Sequence, residues 1–154
     1  MRHYPTNSPQ ASGRILALAL LADGAIDPSE LATLSRAGTL PRLGLDIQDF
    51  DAVIHALCED LLVYSHRVDS GHFEIGREAL SALLCEIRNP VLQKRLLSTV
   101  IDIVNADGAL AKGEAMLIAC AAECWGINVH ETFSNAMPSG VLQRSAHRIE
   151  TESC

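Results

Sequence analysis

The chain has 154 residues and a formal net charge of −7, with 48% hydrophobic but only 4% aromatic residues. Its length suits one domain with a core of its own. The acidic balance argues against nucleic-acid binding, which needs basic side chains to displace counterions. The scarcity of aromatic residues favours helices over a β-sandwich, because strands prefer aromatic and β-branched side chains.

Two helices are predicted in the first forty residues. The run from Ser12 to Ala22 is apolar on nearly every side, which is typical of a central helix. Gly24 is suited to end this helix in a left-handed conformation. The segment Asp27 to Glu30 then has an N-cap Asp, a Pro at the first helical position and a Glu that completes a capping box. We expect this second helix to stop between Gly38 and Pro41.

Apolar residues recur at three- and four-residue spacing through the rest of the chain, which predicts five further helices. A polar stretch, Ser65 to His72, interrupts this pattern. The five helices are expected within Asp46–Tyr64, Ile75–Ile87, Asn89–Asp107, Met116–Trp125 and Asn128–Phe133. No segment alternates like a strand, so the predicted fold is all-α, a single bundle of about seven helices.

One short pattern occurs twice. Ala22 to Glu30 and Ala106 to Glu114 both begin Ala-Asp-Gly-Ala-Ile/Leu and have a Glu four residues after the Ile or Leu. The copies lie 84 residues apart. Further on, Gly44 to Asp49 matches Gly126 to Glu131 at an offset of 82 residues. Repetition of this kind predicts an internal duplication within the bundle.

The predicted domain organisation follows from the repeat. Residues 1–12 are assigned to an N-terminal tail, and 13–137 to one helical domain with halves at about 13–64 and 90–137. Residues 138–154 are expected to form a C-terminal tail or a docked helix. The longest uncharged apolar runs are about eight residues, whereas a membrane span needs about 20, so we expect no membrane-spanning segment.

Five cysteines are an odd number for a disulfide framework. Cys58, Cys85, Cys120 and Cys124 all fall in apolar helical patterns, so we expect reduced core residues in a cytoplasmic protein. Cys120 and Cys124 are spaced to share a helix face and could clip a soft metal, but burial is the simpler interpretation.

The repeated Asp and Glu have a structural interpretation. In the first copy Asp27 caps a helix and Glu30 closes the capping box, with no ligand needed. In the second copy Ala111 replaces Asp27, while Asp107 and Glu114 are retained. The loss of the capping residue favours a further role for the retained pair.

A divalent-metal site is one such role. The Asp-Gly pair and the Glu seven residues after the Asp match the fifth, sixth and twelfth positions of an EF-hand loop, but the first and third positions lack oxygen donors in the first copy. Two half-loops that face each other could share one ion, and hard oxygen donors would select calcium, magnesium or manganese over zinc. The candidate ligands are Asp23, Asp27, Glu30, Asp107 and Glu114. The alternative is a structural or partner-binding acidic patch.

The paired motifs Ala22–Glu30 and Ala106–Glu114 resemble those of the tellurite-resistance TerB-like family, and the resemblance covers about Gly13 to Phe133. It implies an all-α, internally duplicated, non-enzymatic domain active in tellurite or chemical-stress resistance, in the cytoplasm or at the inner face of the membrane. It also implies a membrane-associated protein partner such as a TerC-like protein. Related domains occur in DnaJ-type co-chaperones. The family's metal-site role would fall on Asp23, Glu30, Asp107 and Glu114.

Two other functions can be drawn from the sequence. A zinc site from His66, Asp69 and His72 would place three ligands on one turn, which matches no closed zinc motif, and no catalytic motif is found. The stronger alternative is an acidic protein-interaction scaffold without metal. It would dock through the third predicted helix, whose acidic residues have no Lys or Arg among them: Asp46, Asp49, Asp51, Glu59 and Asp60.

Overall fold

The computed structural model describes residues 1–22, 28–36, 38–65, 75–108 and 110–136. These residues form helices joined by turns and contain no strand, which confirms the all-α class. The helices are α1 (Pro9–Leu21), α2 (Pro28–Arg36), α3 (Thr39–Arg42), α4 (Ile47–Ser65), α5 (Arg77–Leu84), α6 (Pro90–Asp107), α7 (Lys112–Trp125) and α8 (Val129–Ala136). The polar stretch predicted at 65–72 and the C-terminal segment 138–154 lie outside the described residues, apart from Ser65 at the end of α4.

Helix α1 begins earlier than the sequence analysis placed it. Ser8 is the N-cap, and its side-chain oxygen accepts a hydrogen bond of 3.1 Å from the backbone N–H of Ala11. Pro9 occupies the first helical position, where its missing N–H costs nothing. Residues 9–12, which were assigned to the N-terminal tail, therefore belong to α1. The same Asx/Ser-Pro start opens α6, where Asn89 caps and Pro90 follows.

A short helix lies where the sequence analysis expected only the end of the second one. Helix α2 ends at Arg36, and α3 then begins after Gly38, which is left-handed at φ +59°. Pro41 is tolerated inside α3 because it stands in the first helical turn, where no backbone N–H has an intrahelical partner. The described helices thus number one more than the seven predicted.

Helix α1 is the centre of the bundle. Ten consecutive residues, Ala11 to Leu20, are buried. A helix can be buried on every side only if its neighbours surround it, and α4, α5, α6 and α7 all pack against α1. The prediction of a central helix is confirmed.

Helix packing repeats between the two halves of the chain. Helix α1 packs against α4 and α7, and α6 packs against the corresponding helices of the other half, α8 and α2. The second helix of each half therefore lies on the first helix of the other half. This exchange is what two copies of one unit around a shared core should show, in agreement with the predicted duplication.

The second pair of repeated segments has matching turns. Gly44 and Gly126 are both left-handed, with φ of +78° and +63°. In each case the N–H of the next residue, Leu45 or Ile127, donates to a carbonyl five residues earlier at 3.0 Å. Both turns are therefore Schellman motifs, in which only glycine adopts the required φ without strain.

The cysteines are only partly where we expected them. Cys120 is buried and Cys58 half-buried, but Cys85 and Cys124 are exposed, since they lie at or near the ends of α5 and α7. All four are free thiols. The expectation of a core position was thus wrong for Cys85 and Cys124. None of the described helices is long and apolar enough to cross a membrane.

Candidate metal site at the repeated motifs

The first motif begins at the end of α1. Leu21 is the last helical residue and Ala22 is its C-cap. Asp23 and Asp27, two of the predicted ligands, lie outside the described residues. Helix α2 begins at Pro28, which makes Glu30 the third helical residue, although its side chain is not described.

The second motif joins α6 to α7. Asp107 is the last residue of α6, and its side chain is not described. Gly108 follows as a left-handed C-cap with φ of +77°, the role that the sequence analysis gave to Gly24 in the first copy. Ala111 is the N-cap of α7, so Glu114 is the third helical residue. Glu30 and Glu114 therefore stand at the same position of equivalent helices.

Glu114 is a buried carboxylate with only 1% of the residue exposed. Its Oε2 accepts a hydrogen bond of 2.7 Å from the backbone N–H of Ala111. This is the half of a capping box that the Glu side chain makes. The alanine methyl group has no acceptor, so the reciprocal half cannot form.

That hydrogen bond corrects one step of the sequence argument. The replacement of Asp27 by Ala111 was taken as evidence that capping does not explain the retained Glu. A Glu at the third helical position, however, bonds to the backbone N–H of the N-cap, which any residue except Pro supplies. Glu114 therefore keeps a capping role despite the loss of the Asp, and a metal is not needed to explain its retention.

The two motifs meet where α7 starts against the end of α1. A Cβ added to Gly113 would lie 2.7 Å from the carbonyl oxygen of Ala22 and 3.3 Å from its Cβ. Contacts of Cβ atoms below 3.0 Å are essentially never seen. Glycine at position 113 therefore allows the start of α7 to lie directly on the backbone of α1.

This contact is between the immediate neighbours of two predicted ligands. Ala22 precedes Asp23 in the chain, and Gly113 precedes Glu114. Of the five candidate ligands, only Glu114 has a described side chain. Among the side chains that the structure does describe, no three His, Cys, Asp or Glu residues group as metal ligands.

The chemistry of Glu114 is compatible with a cation ligand. Burial of a carboxylate is costly unless hydrogen bonds or a positive charge compensate it. An ionised carboxylate has two oxygens that can accept hydrogen bonds or bind a cation, and Oε2 of Glu114 accepts the bond from Ala111. Calcium and manganese sites commonly use such oxygens.

The acidic residues of α4 divide into two groups. Near its start Asp49 and Asp51 are exposed, and Asp51 lies 3.4 Å from Nδ1 of His55. Near its end Glu59 and Asp60 pair with Arg2 at 3.0 and 3.2 Å. No Lys or Arg lies among these acidic residues in the sequence, but in the structure Arg2 from the N-terminal segment reaches the second half of the helix.

The described part of the chain gives no support to a functional site built on histidines. His55 is exposed, and its Nδ1 lies 2.9 Å from the carbonyl oxygen of Asp51. His66, Asp69 and His72 lie outside the described residues. The proposed zinc turn therefore stays an untested idea.

Comparisons with known proteins add no assignment. No protein-family model matches the sequence, and no curated protein or solved structure matches it significantly. The TerB-like resemblance stays a prediction that rests on the repeated motifs.

Two residues with tertiary contacts, one at the repeated motifs and one elsewhere in α1, were not singled out from the sequence. Gly113 stands in the second copy where the first has Ser29, and a glycine in the first turn of a helix can signal a close backbone contact. Arg14 is 1% exposed inside the apolar run of α1 and pairs with Glu86. A single charged residue within ten buried positions was the available signal, since a charge is buried only with a partner.

Proposed function

We propose that this chain is a non-enzymatic, TerB-like helical protein that binds a divalent cation through its two repeated motifs in a chemical-stress response. The proposal assigns the cation to Asp23, Glu30, Asp107 and Glu114, with Asp27 as a further ligand. Calcium, magnesium and manganese are the candidate ions, since all the proposed donors are carboxylates.

The contact between Ala22 and Gly113 is the observation that carries the proposal. One half-loop supplies too few oxygens for a calcium ion, which takes six to eight. A shared site therefore requires the two motifs to be neighbours in space, and two residues that directly precede candidate ligands are in contact. The exchange of second helices between the halves supports the same arrangement.

The test is calorimetric titration of chelator-stripped protein with calcium, manganese and magnesium. The variant Asp23→Ala/Asp107→Ala removes one carboxylate from each motif. Its matched control, Asp49→Ala/Asp51→Ala, removes the same charge from the exposed start of α4. We expect saturable binding that the motif variant loses and the control keeps.

Thermal melts with and without chelator give a second readout. A cation that binds only the native state raises its stability by RT ln(1 + [L]/Kd), about 2.7 kcal/mol at a hundredfold excess over Kd. The melting temperature of the control should therefore rise with metal, and that of the motif variant should not. Equal responses in the two variants would reject the assignment of these carboxylates.

The alternative function is an acidic interaction scaffold that binds a protein partner without metal. It is favoured by the exposed carboxylates of Asp49 and Asp51 at the start of α4, whereas Glu59 and Asp60 are already paired with Arg2. The candidate partner is a membrane-associated, TerC-like protein. Charge reversal by Asp49→Lys/Asp51→Lys should weaken such a complex and leave the metal response unchanged. A purified complex that is indifferent to the reversal would reject α4 as the docking surface.

A further inference from the structure

The N-terminal strap, residues 1–7, lies over a buried ion pair. The guanidinium of Arg14 on α1 pairs with the carboxylate of Glu86, which follows the C-cap of α5. The side chains of Arg14 and Glu86 are 1% and 10% exposed. Nε of Arg14 is buried and has no hydrogen-bond partner among the described atoms. The stability of an ion pair this far from water depends on the groups that cover it and bond to it.

The strap meets this ion pair through its backbone. Arg14 Nη1 donates to the carbonyl oxygen of Arg2 at 2.5 Å, and the N–H of Tyr4 donates to Glu86 Oε1 at 3.4 Å. In an extended chain the carbonyl of one residue and the N–H of the second residue after it point to the same side. The ion pair therefore offers a donor and an acceptor to an extended chain much as a neighbouring strand does. Any peptide backbone could take these two bonds.

Side chains of the strap make contacts at three positions. The exposed ring of His3 places Nδ1 3.2 Å from Glu86 Oε1, and Arg2 and Tyr4 make the other two contacts. The guanidinium of Arg2 lies 3.0 Å from Glu59 and 3.2 Å from Asp60 on α4. Two residues later, the ring of Tyr4 lies 4.7 Å from the guanidinium carbon of Arg14, a cation–π contact. A basic residue followed, two positions on, by an aromatic residue is therefore complementary to this surface.

The strap is anchored firmly at one end only. The side-chain oxygen of Asn7 accepts from the backbone N–H groups of Arg88 and Asn89 at 2.7 and 2.9 Å, and the Asn7 N–H donates to the carbonyl of Glu86 at 2.8 Å. At the other end the Arg2 side chain is 44% exposed, and its pair with the exposed Glu59 contributes little, whereas the side chain of Asp60 is 14% exposed. Detachment of residues 1–4 would break the backbone bonds of Arg2 and Tyr4 and leave those of Asn7 in place.

We propose that the groove formed by Arg14, Glu59, Asp60 and Glu86 is a peptide-recognition site, and that the strap is its intramolecular occupant. Its ligand is an extended peptide segment of a partner with an Arg two residues before a Tyr or another aromatic residue. The strap competes at an effective concentration on the order of millimolar. A free peptide binds only the fraction of molecules whose strap is displaced, so the strap lowers the apparent affinity by that fraction.

The test uses a fluorescent peptide with the sequence of residues 1–7, blocked at both ends, and the full chain. Fluorescence polarisation should show weak binding to the wild type. The variant Arg2→Ala/Tyr4→Ala weakens the strap and leaves the groove intact, so its affinity for the peptide should rise at least tenfold. The matched control Thr6→Ala, in the same strap, should behave as wild type. A peptide in which Glu replaces Arg and Ala replaces Tyr should not bind.

Three outcomes would overturn the proposal. In the first, the strap variant is folded, as its cooperative unfolding shows, and yet it binds the peptide no better than wild type. Asp60→Asn in the strap variant could leave the peptide affinity unchanged, although it removes a groove charge. A wild-type dimer that dissociates on Arg2→Ala/Tyr4→Ala would show that the strap of a second copy fills the groove. If that variant does not fold, Arg2→Ala alone should raise the affinity in the same direction, and an unchanged affinity would then reject the site.

Discussion

Replacement of Gly113 by Ala tests the close contact on which the two motifs depend. In most helices Gly→Ala is stabilising by about 0.5–1 kcal/mol, because alanine loses less conformational freedom on folding. At position 113 the new methyl carbon would lie 2.7 Å from the backbone oxygen of Ala22. Backbone cannot rotate away as a side-chain end can, so α1 and α7 must separate by a few tenths of an ångström.

Overpacking of this kind typically costs about 1–3 kcal/mol. After the gain in helix propensity is subtracted, we expect Gly113→Ala to lower the free energy of unfolding by up to about 2.5 kcal/mol. For a chain of this size that is a fall of a few degrees in melting temperature.

The measurement is urea unfolding followed by far-UV circular dichroism and by the fluorescence of Trp125, the only tryptophan. Trp125 reports on the packing of α7 against α5, because its Nε1 donates to the carbonyl of Leu84 at 3.1 Å. The control is Ala119→Gly at an exposed position of α7, which measures helix propensity without a packing change. A Gly113→Ala variant that gains as much stability as Ala119→Gly loses would refute the close contact.

Three further predictions concern buried polar groups. Glu114→Ala should lose about 1–3 kcal/mol of stability in urea unfolding, and Glu114→Gln less, because the amide oxygen can still accept the capping hydrogen bond; equal losses would contradict the capping role. Burial raises the pKa of Cys120, so its thiol should react with a disulfide reagent more slowly than that of the exposed Cys85. The contribution of Cys120 to stability should also decline as pH rises through that pKa, which thermal melts of the wild type and of Cys120→Ala at several pH values would measure. Arg14→Met alone should cost about 3 kcal/mol or more, because the carboxylate of Glu86 loses its buried guanidinium partner. Arg14→Met/Glu86→Leu should recover much of that loss, and additive losses in the double-mutant cycle would reject the coupling.

Local rules account for the elements that were predicted correctly. The apolar run of α1 has no polar face, so the helix could only be central. The Asn89-Pro90 start of α6 and the glycine stop of α7 at Gly126 depend on residues within one turn of each other. For the same reason the Ser8-Pro9 start of α1 was also available in the sequence, although it was not used.

The exposure of Cys85 and Cys124 could not be predicted from such local rules. Their apolar neighbours predicted burial, but a residue near a helix end is covered only if another element passes over it. Which elements do so depends on packing between distant parts of the chain.

The sequence by itself therefore determined the helical class, the duplication and the caps, because these depend on periodicity and on near neighbours. Tertiary structure alone decided that Arg14 meets Glu86, 72 residues away, and that Gly113 lies on Ala22. It also placed the Arg2 end of the strap on the acidic end of α4. Such contacts depend on how the helices pack, and local sequence patterns do not show which distant surfaces will meet.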